Sequence, residues 1–274
     1  MVEPALQTGR CGDTSYIRAG SGEALLLIHG VGMNGGFWSP QFAAFAPQRD
    51  VIAYDTLGHG GSPLPPDPAR LDDYTKQALD LMDGLGIARA TVAGHSMGAL
   101  IALDLATTHP ERVISVVAMN AVYRRTAQQR EAVERRAAGL DSSDLVTWRQ
   151  SALDRWFGKP ARSAQLAAAV WVGATLASID PDGYGRAYRL FATADEAHSG
   201  RLRTMRMPVL YLTGELDANS TPLMSEQMAR ETPRGQAIVL PGERHMMSLT
   251  SADAVNSIVE RFMRDAEASV LVAG

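Results

Sequence analysis

Short, uninterrupted apolar runs set the terms on which this chain can fold. Ala24-Leu25-Leu26-Leu27-Ile28, Val51-Ile52-Ala53-Tyr54, Val113 to Met119 and Pro208-Val209-Leu210-Tyr211-Leu212 are too short for well-buried helices and lack polar–apolar alternation. Such runs read as strands buried on both faces, the habit of parallel sheets sandwiched by helices. Helical patterns fall between them at Phe37 to Phe45, Leu71 to Leu85, Ala99 to Ala106, Pro222 to Arg230 and Ala252 to Arg264. Weaker strand signals lie at Ala5 to Arg10, Thr14 to Arg18 and Gln236 to Leu240. Strand and helix in alternation predict an α/β fold with a mostly parallel sheet covered by helices.

The alternation stops between Asn120 and Met207. That segment has helical stretches at Ala127 to Ala138, Ser143 to Trp156 and Arg162 to Ala177, and holds Trp148, Trp156 and Trp171, three of the four tryptophans. It is expected to be a helical cap, residues 121–207, over the carboxyl edge of a core formed by residues 1–120 and 208–274.

One strand-to-helix junction carries the chemistry. The apolar run Ala90 to Ala93 meets Gly94-His95-Ser96-Met97-Gly98 and passes directly into the alanine- and leucine-rich stretch after it. Glycines two residues either side of Ser96 permit a reversal so tight that a Cβ would clash with neighbouring backbone. The serine oxygen is thereby presented at a strand tip, beside the positive end of a helix. A serine hydroxyl is a poor nucleophile at neutral pH and needs a base within reach. A histidine oriented by a carboxylate supplies one, and in this framework the three groups follow in the order Ser, acid, His on loops after successive strands. His245, in the loop before the last helix, fits the base. Asp217, at the end of Gly214-Glu215-Leu216-Asp217, fits the acid ahead of Glu215, while Glu243 reads as a surface carboxylate and Asn120-Ala121-Val122 offers no acid. The developing oxyanion needs preplaced donors: the backbone N–H of Met97 and that of Val31, in the turn His29-Gly30-Val31-Gly32. His29, His59, His95, His109 and His198 read as structural.

Composition closes off other classes. An apolar fraction of 46% over 274 residues provides a sizeable core, and a net charge of −4 without a long basic stretch gives no surface for nucleic acid. Cys11 is the single cysteine, so no intrachain disulfide forms. Met1-Val2-Glu3-Pro4 does not begin a leader, and no apolar run approaches the roughly 18 residues of a membrane span. No metal-ligand spacing appears, and Gly30-Val31-Gly32 lacks the third glycine of a dinucleotide fingerprint, so neither metal nor cofactor is expected. The chain reads as a soluble cytoplasmic protein, monomer or homodimer, working on a small molecule.

His29-Gly30-Val31-Gly32, Asp55-Thr56-Leu57-Gly58-His59-Gly60-Gly61-Ser62, Gly94-His95-Ser96-Met97-Gly98, Gly214-Glu215-Leu216-Asp217 and Gly242-Glu243-Arg244-His245, in this order, resemble the motifs of the α/β-hydrolase family. The resemblance implies an eight-stranded sheet with helices on both faces and a cap inserted after the sixth strand. Within that family, Leu153-Asp154-Arg155-Trp156-Phe157, Asp180-Pro181-Asp182-Gly183-Tyr184 and Asp217-Ala218-Asn219-Ser220-Thr221-Pro222 look most like the 3-oxoadipate enol-lactonase group. The implied activity is hydrolysis of a small carboxylic ester, a lactone or enol-lactone. The alternatives are carbon–carbon bond hydrolysis of a ring-fission product by the same residues, and a non-catalytic ligand receptor on the same scaffold. Trp38, Trp148 and Trp156, with Phe37, are candidate pocket walls, and Met33, Met97 and Met246 border the predicted site. Among the cap arginines Arg124, Arg125, Arg135, Arg136, Arg149, Arg155 and Arg189, most cover solvated helix faces; one facing the pocket would hold a substrate carboxylate.

Overall fold

The computed structural model describes residues 5–141, 145–159 and 163–271. Ser143 and Arg162, the starts of two predicted helices, and Met1 to Pro4 lie outside the described residues. Eight strands form one sheet: β1 (Gln7–Cys11), β2 (Thr14–Ala19), β3 (Ala24–Ile28), β4 (Asp50–Tyr54), β5 (Ala90–His95), β6 (Val113–Met119), β7 (Val209–Gly214) and β8 (Gly235–Leu240). Their spatial order is β1-β2-β4-β3-β5-β6-β7-β8. β2 pairs antiparallel with both β1 and β4, and every pairing from β4 through β8 is parallel. The four apolar runs form β3, β4, β6 and β7, the run Ala90 to Ala93 forms most of β5 between them, and the weaker signals form β1, β2 and β8. β1 and β8 are edges, with one neighbour each and residues open to water, so they have less reason to be apolar.

Among the described residues ten α-helices accompany the sheet: α1 (Ser39–Phe45), α2 (Leu71–Gly84), α3 (Met97–Thr108), α4 (Ala127–Ala138), α5 (Leu145–Phe157), α6 (Leu166–Ala177), α7 (Pro181–Thr193), α8 (Pro222–Glu231), α9 (Met247–Thr250) and α10 (Ala252–Leu271). Successive residues of β3 feed opposite layers. Leu26 and Ile28 pack with α2, α3 and α8 residues such as Leu81, Leu100 and Met228. Leu25 and Leu27 pack on the other face with Phe42 of α1 and with Val259 and Phe262 of α10. This two-sided burial is why the inner strands carry no polar alternation.

Two boundaries and one helix differ from the sequence reading. The helix expected from Phe37 begins at Ser39, after a 3₁₀ turn over Gly35–Trp38, because Pro40 has no N–H and is tolerated only in a helix's first turn. The last helix runs on past Arg264, through residues free of glycine and proline. α7 was not foreseen. Its start is well marked, with Asp180 accepting from the Gly183 N–H at 2.8 Å and Pro181 in the first turn. Gly183 and Gly185 hide it, since glycine disfavours helix interiors. Gly183 has a tertiary reason: a Cβ there would overlap the Gly58 backbone, against which the first turn of α7 lies.

The chain steps from β3 to β4 on one side and crosses to β5 on the other. The carboxyl ends of β3 and β5 therefore flank a topological switch point, where loops diverge and leave a crevice. The segment between β6 and β7 supplies α4 to α7, with α4 packing on α7 and α5 on α6.

Candidate active site

Ser96 stands between β5 and α3 with φ 55° and ψ −115°, a conformation that costs a non-glycine residue about 1–3 kcal/mol. The surroundings hold it there. Its N–H donates to the Met119 carbonyl of β6 at 2.8 Å, and its own carbonyl accepts from Ala99 at 3.0 Å. A Cβ at Gly94 would overlap the Gly98 carbonyl, and one at Gly98 would overlap the Ile28 carbonyl of β3. Both glycines are thus fixed by close backbone approach. Met97 is the first residue of α3, where the opening N–H groups of a helix have no acceptor inside it.

Two further strand ends bring Asp217 and His245 together. The buried His245 Nδ1 donates to Asp217 Oδ2 at 2.7 Å. Three more donors hold the same carboxylate: Asn120 Nδ2 on Oδ2 at 2.7 Å, and the Asn219 and Ser220 amides on Oδ1 at 2.8 and 3.2 Å. Burial alone pushes this carboxyl upward; the interaction with His245 and these hydrogen bonds outweigh it and hold Asp217 below the ordinary carboxylate value. Glu215 faces elsewhere, with Oε2 accepting from the Gly242 amide at 2.7 Å, and Glu243 accepts from the Thr250 hydroxyl at 2.7 Å.

Three other histidines brace these loops. His29 Nε2 accepts from the Thr56 amide at 3.0 Å, so its Nδ1–H donates to the Gly30 carbonyl at 2.8 Å. His59 Nε2 accepts from the Gly32 amide at 2.9 Å, and its Nδ1 sits 3.1 Å from the Leu57 carbonyl. Together they fasten the turn containing Val31 to the loop after β4. His95 Nε2 donates to the His245 carbonyl at 2.8 Å, and its ring lies between Phe37 and His245, with centroids 4.8 Å from each. Burial is the main cause that brings His29 down to about 4 and His59 and His95 to about 3. They are uncharged near neutral pH.

Ser96, His245, Val31 and Trp156 line one cavity. Trp156 stacks on His245 at 6.0 Å between ring centroids. Met33 and Met246 share this lining, whereas the Met97 side chain is buried in the sheet-side core. Trp148 lines an adjoining cavity with Leu176 and Ile179, meeting the first at Tyr184, whose ring it touches edge-on at 4.5 Å. Trp38 departs from its expected place. It is fully buried beneath the sheet against Phe37, because the 3₁₀ turn over Gly35–Trp38 directs it inward, and the cavity over Ser96 does not include it. α7 contributes Tyr184, Tyr188 and Phe191 to the cavity wall, and α5 contributes Arg155. The sequence reading passed over these tyrosines because the helix carrying them was not seen; the Asp180-Pro181 cap was the available signal. It also passed over Asn120, which occupies the strand end where an acid was sought and supports Asp217 instead.

The profile of the alpha/beta hydrolase family matches residues 25–258. The chain is an α/β-hydrolase. It is 36% identical over 263 residues, 96% of this chain and 98% of the other, to the (E)-2-((N-methylformamido)methylene)succinate hydrolase of Acinetobacter baylyi. It is 29% identical over 241 residues, 88% of each chain, to 3-oxoadipate enol-lactonase 2 of the same organism. The crystal structure of the enol-lactonase from Burkholderia xenovorans superposes with a TM-score of 0.84 at 25% identity, covering 94% of this hydrolase and all of that chain. The likeness to the enol-lactonase group thus holds in sequence and in structure. Among its described residues, no helix of this α/β-hydrolase is long and apolar enough to cross a membrane.

Proposed function

We propose that this α/β-hydrolase is a serine hydrolase of a small carboxylic ester, a lactone or enol-lactone, with residues 121–207 acting as a cap over the site. The observation that carries the reading is the Asp217–His245 hydrogen bond behind a cavity whose wall holds both His245 and Ser96. With its Nδ1–H given to Asp217, neutral His245 keeps Nε2 unprotonated to serve as a base. His245 takes the Ser96 proton as Oγ attacks the carbonyl carbon. The Val31 and Met97 amides receive the oxyanion. Collapse breaks the acyl–oxygen bond, and His245 returns the proton to the departing alkoxide or enolate; in a lactone that oxygen stays tethered to the acyl chain. Water, deprotonated by His245, then attacks the acyl-enzyme, and release of Ser96 yields the acid.

A second reading keeps these residues and changes the bond. It is favoured by the 36% identity to a hydrolase named for a methylformamido-methylene succinate. Turnover of lactones, aryl esters, enamides and ring-fission dienoates, assayed side by side on the purified protein, separates the readings. An organophosphonate ester should add its phosphonyl group to Ser96, located by peptide mass. Full activity after complete labelling elsewhere would remove the serine mechanism.

A further inference from the structure

The turn that offers the Val31 amide is the least self-supporting part of the site. The other oxyanion donor, the Met97 amide, is fixed by the helix it opens. Val31 instead lies between Gly30 and Gly32, and glycine has more backbone freedom than any other residue. Gly32 sits in the left-handed region, with φ 82°. The Met33 N–H closes the turn by donating to the Gly30 carbonyl at 3.2 Å. Among the described residues no acceptor meets the Val31 N–H, so no bond of its own fixes where it points.

Its direction is set from outside. From the core, His59 Nε2 takes the Gly32 N–H at 2.9 Å. From the segment between β6 and β7 come two buried side chains, Leu176 near the end of α6 and Tyr184 in the first turn of α7. A Cβ at Gly32 would stand 2.8 Å from Leu176 Cδ2 and 3.1 Å from Tyr184 Cε2. Tyr184 is held in turn by Trp148, edge-on at 4.5 Å, and by Tyr188, stacked at 5.5 Å. α7 itself is fastened to the loop after β4. Gly183 lies against the Gly58 backbone, and Arg186 Nη1 donates to the Pro65 carbonyl at 2.7 Å. Leu176 is not part of the lining of the cavity over Ser96, so its path to the reacting groups runs through the turn.

We propose that Leu176, backed by the Tyr184 ring, is a positioning residue for the oxyanion donor: it confines Gly32 in its bond to His59 and so keeps the Val31 N–H aimed at the developing oxyanion. The helical segment then completes the reacting site as well as covering it. The inference rests on the reading of Ser96 as the nucleophile and of the Val31 amide as a donor. Donors act most strongly when already placed, because nothing has to reorganise as charge develops. Opening space over a left-handed glycine returns its freedom, and a mobile amide gives up part of that advantage. The interaction belongs to the transition state, so its loss falls on kcat rather than KM.

The test measures nitrophenyl butyrate turnover beside inhibition by phenethyl trifluoromethyl ketone and by phenethyl methyl ketone. Ser96 Oγ adds to the fluorinated carbonyl, His245 takes the serine proton, and the carbonyl oxygen becomes an oxyanion; the methyl ketone occupies the cavity without adding. The wild type should prefer the fluorinated ketone by about 100-fold or more. Leu176→Ala should lower kcat roughly 10- to 100-fold with KM changed less than about threefold, and shrink that preference by a similar factor. Leu176→Val, a smaller loss of packing, should shift both less, and Leu176→Met should recover most of the loss. Val172→Ala, one turn earlier in α6 and also buried, is the packing control: it should lower the unfolding midpoint and leave the preference unchanged. A wild-type preference that survives in full in Leu176→Ala and Leu176→Val, with thermal unfolding showing them folded, overturns the proposal and leaves the serine reading standing. An equal loss in Val172→Ala does the same. A wild type that binds the two ketones equally, with Ser96→Ala still turning over, removes the serine reading and this inference with it.

Discussion

The cavity has two walls built on different principles. The sheet side is made of loop residues that the protein itself holds: four donors on Asp217, and His29, His59 and His95 each tied to the backbone of another loop. Among the described residues, the helical side, from α4, α5 and α7, presents Arg155 Nε and the Tyr184 hydroxyl buried without partners. A wall whose polar groups are already paired keeps a fixed geometry, as a reacting constellation requires. A wall with unpaired donors waits for its ligand. Substitutions on the first should therefore act on kcat for every substrate, and those on the second on KM for particular ones.

The largest effect should come from Ser96→Ala or His245→Ala, each lowering kcat by about 10⁴-fold or more with the unfolding midpoint nearly unchanged. A loss confined to one substrate would break the distinction between the walls. Asp217→Asn should cost about 10³-fold in kcat by disturbing the His245 tautomer, while Glu215→Gln, whose carboxylate bonds the Gly242 amide, should alter turnover little. Steady-state kinetics on one nitrophenyl ester reads both; the opposite pattern would move the acid to Glu215.

Gly98→Ala probes the rigidity of the sheet side directly. Its new Cβ meets the Ile28 carbonyl, so the unfolding midpoint should fall by roughly 10 °C. The braced histidines give the same wall a pH signature. His29 and His59 fall to about 4 and 3 when folded, below the ordinary histidine value of 6.5. Between those limits the unfolded chain binds protons that the folded chain refuses, so stability rises with pH through this window. It should be fully present above about pH 7 and decline steadily as the pH falls from about 6.5 toward 4. Thermal melts across that range check it; a flat profile would mean that these rings are protonated while folded. The smallest effect belongs to the helical side. Tyr188→Phe removes the acceptor of Arg136 Nε and should raise KM only about 3- to 10-fold.

Legibility in the sequence followed the same division. Val113 to Met119 and Ala24 to Ile28 coincide with β6 and β3 because strands buried on both faces admit nothing but apolar side chains. Ser96, Asp217 and His245 were readable because each sits just past a strand, and chain order then ranks the candidates. Asn120 was not readable as a support for Asp217, since the two are 97 residues apart and meet only where β6 and β7 pair. Trp38 and Trp156 look alike as sequence, yet one lies in the core and the other stacks on His245. Aromatic residues serve either place, and only packing separates them.

What the sequence by itself determined was the strand-helix framework, the elbow at Ser96 and the order in which Asp217 and His245 follow it. Those features are local: apolar runs, glycines where no Cβ fits, and loops next to strands. Tertiary structure alone decided which of the seven arginines line the cavities beside Ser96, and that Gly183 lies in a helix because Gly58 touches it. The lining of a cavity and close contact between backbones depend on neighbours distant in the chain, and no stretch of sequence contains all the partners.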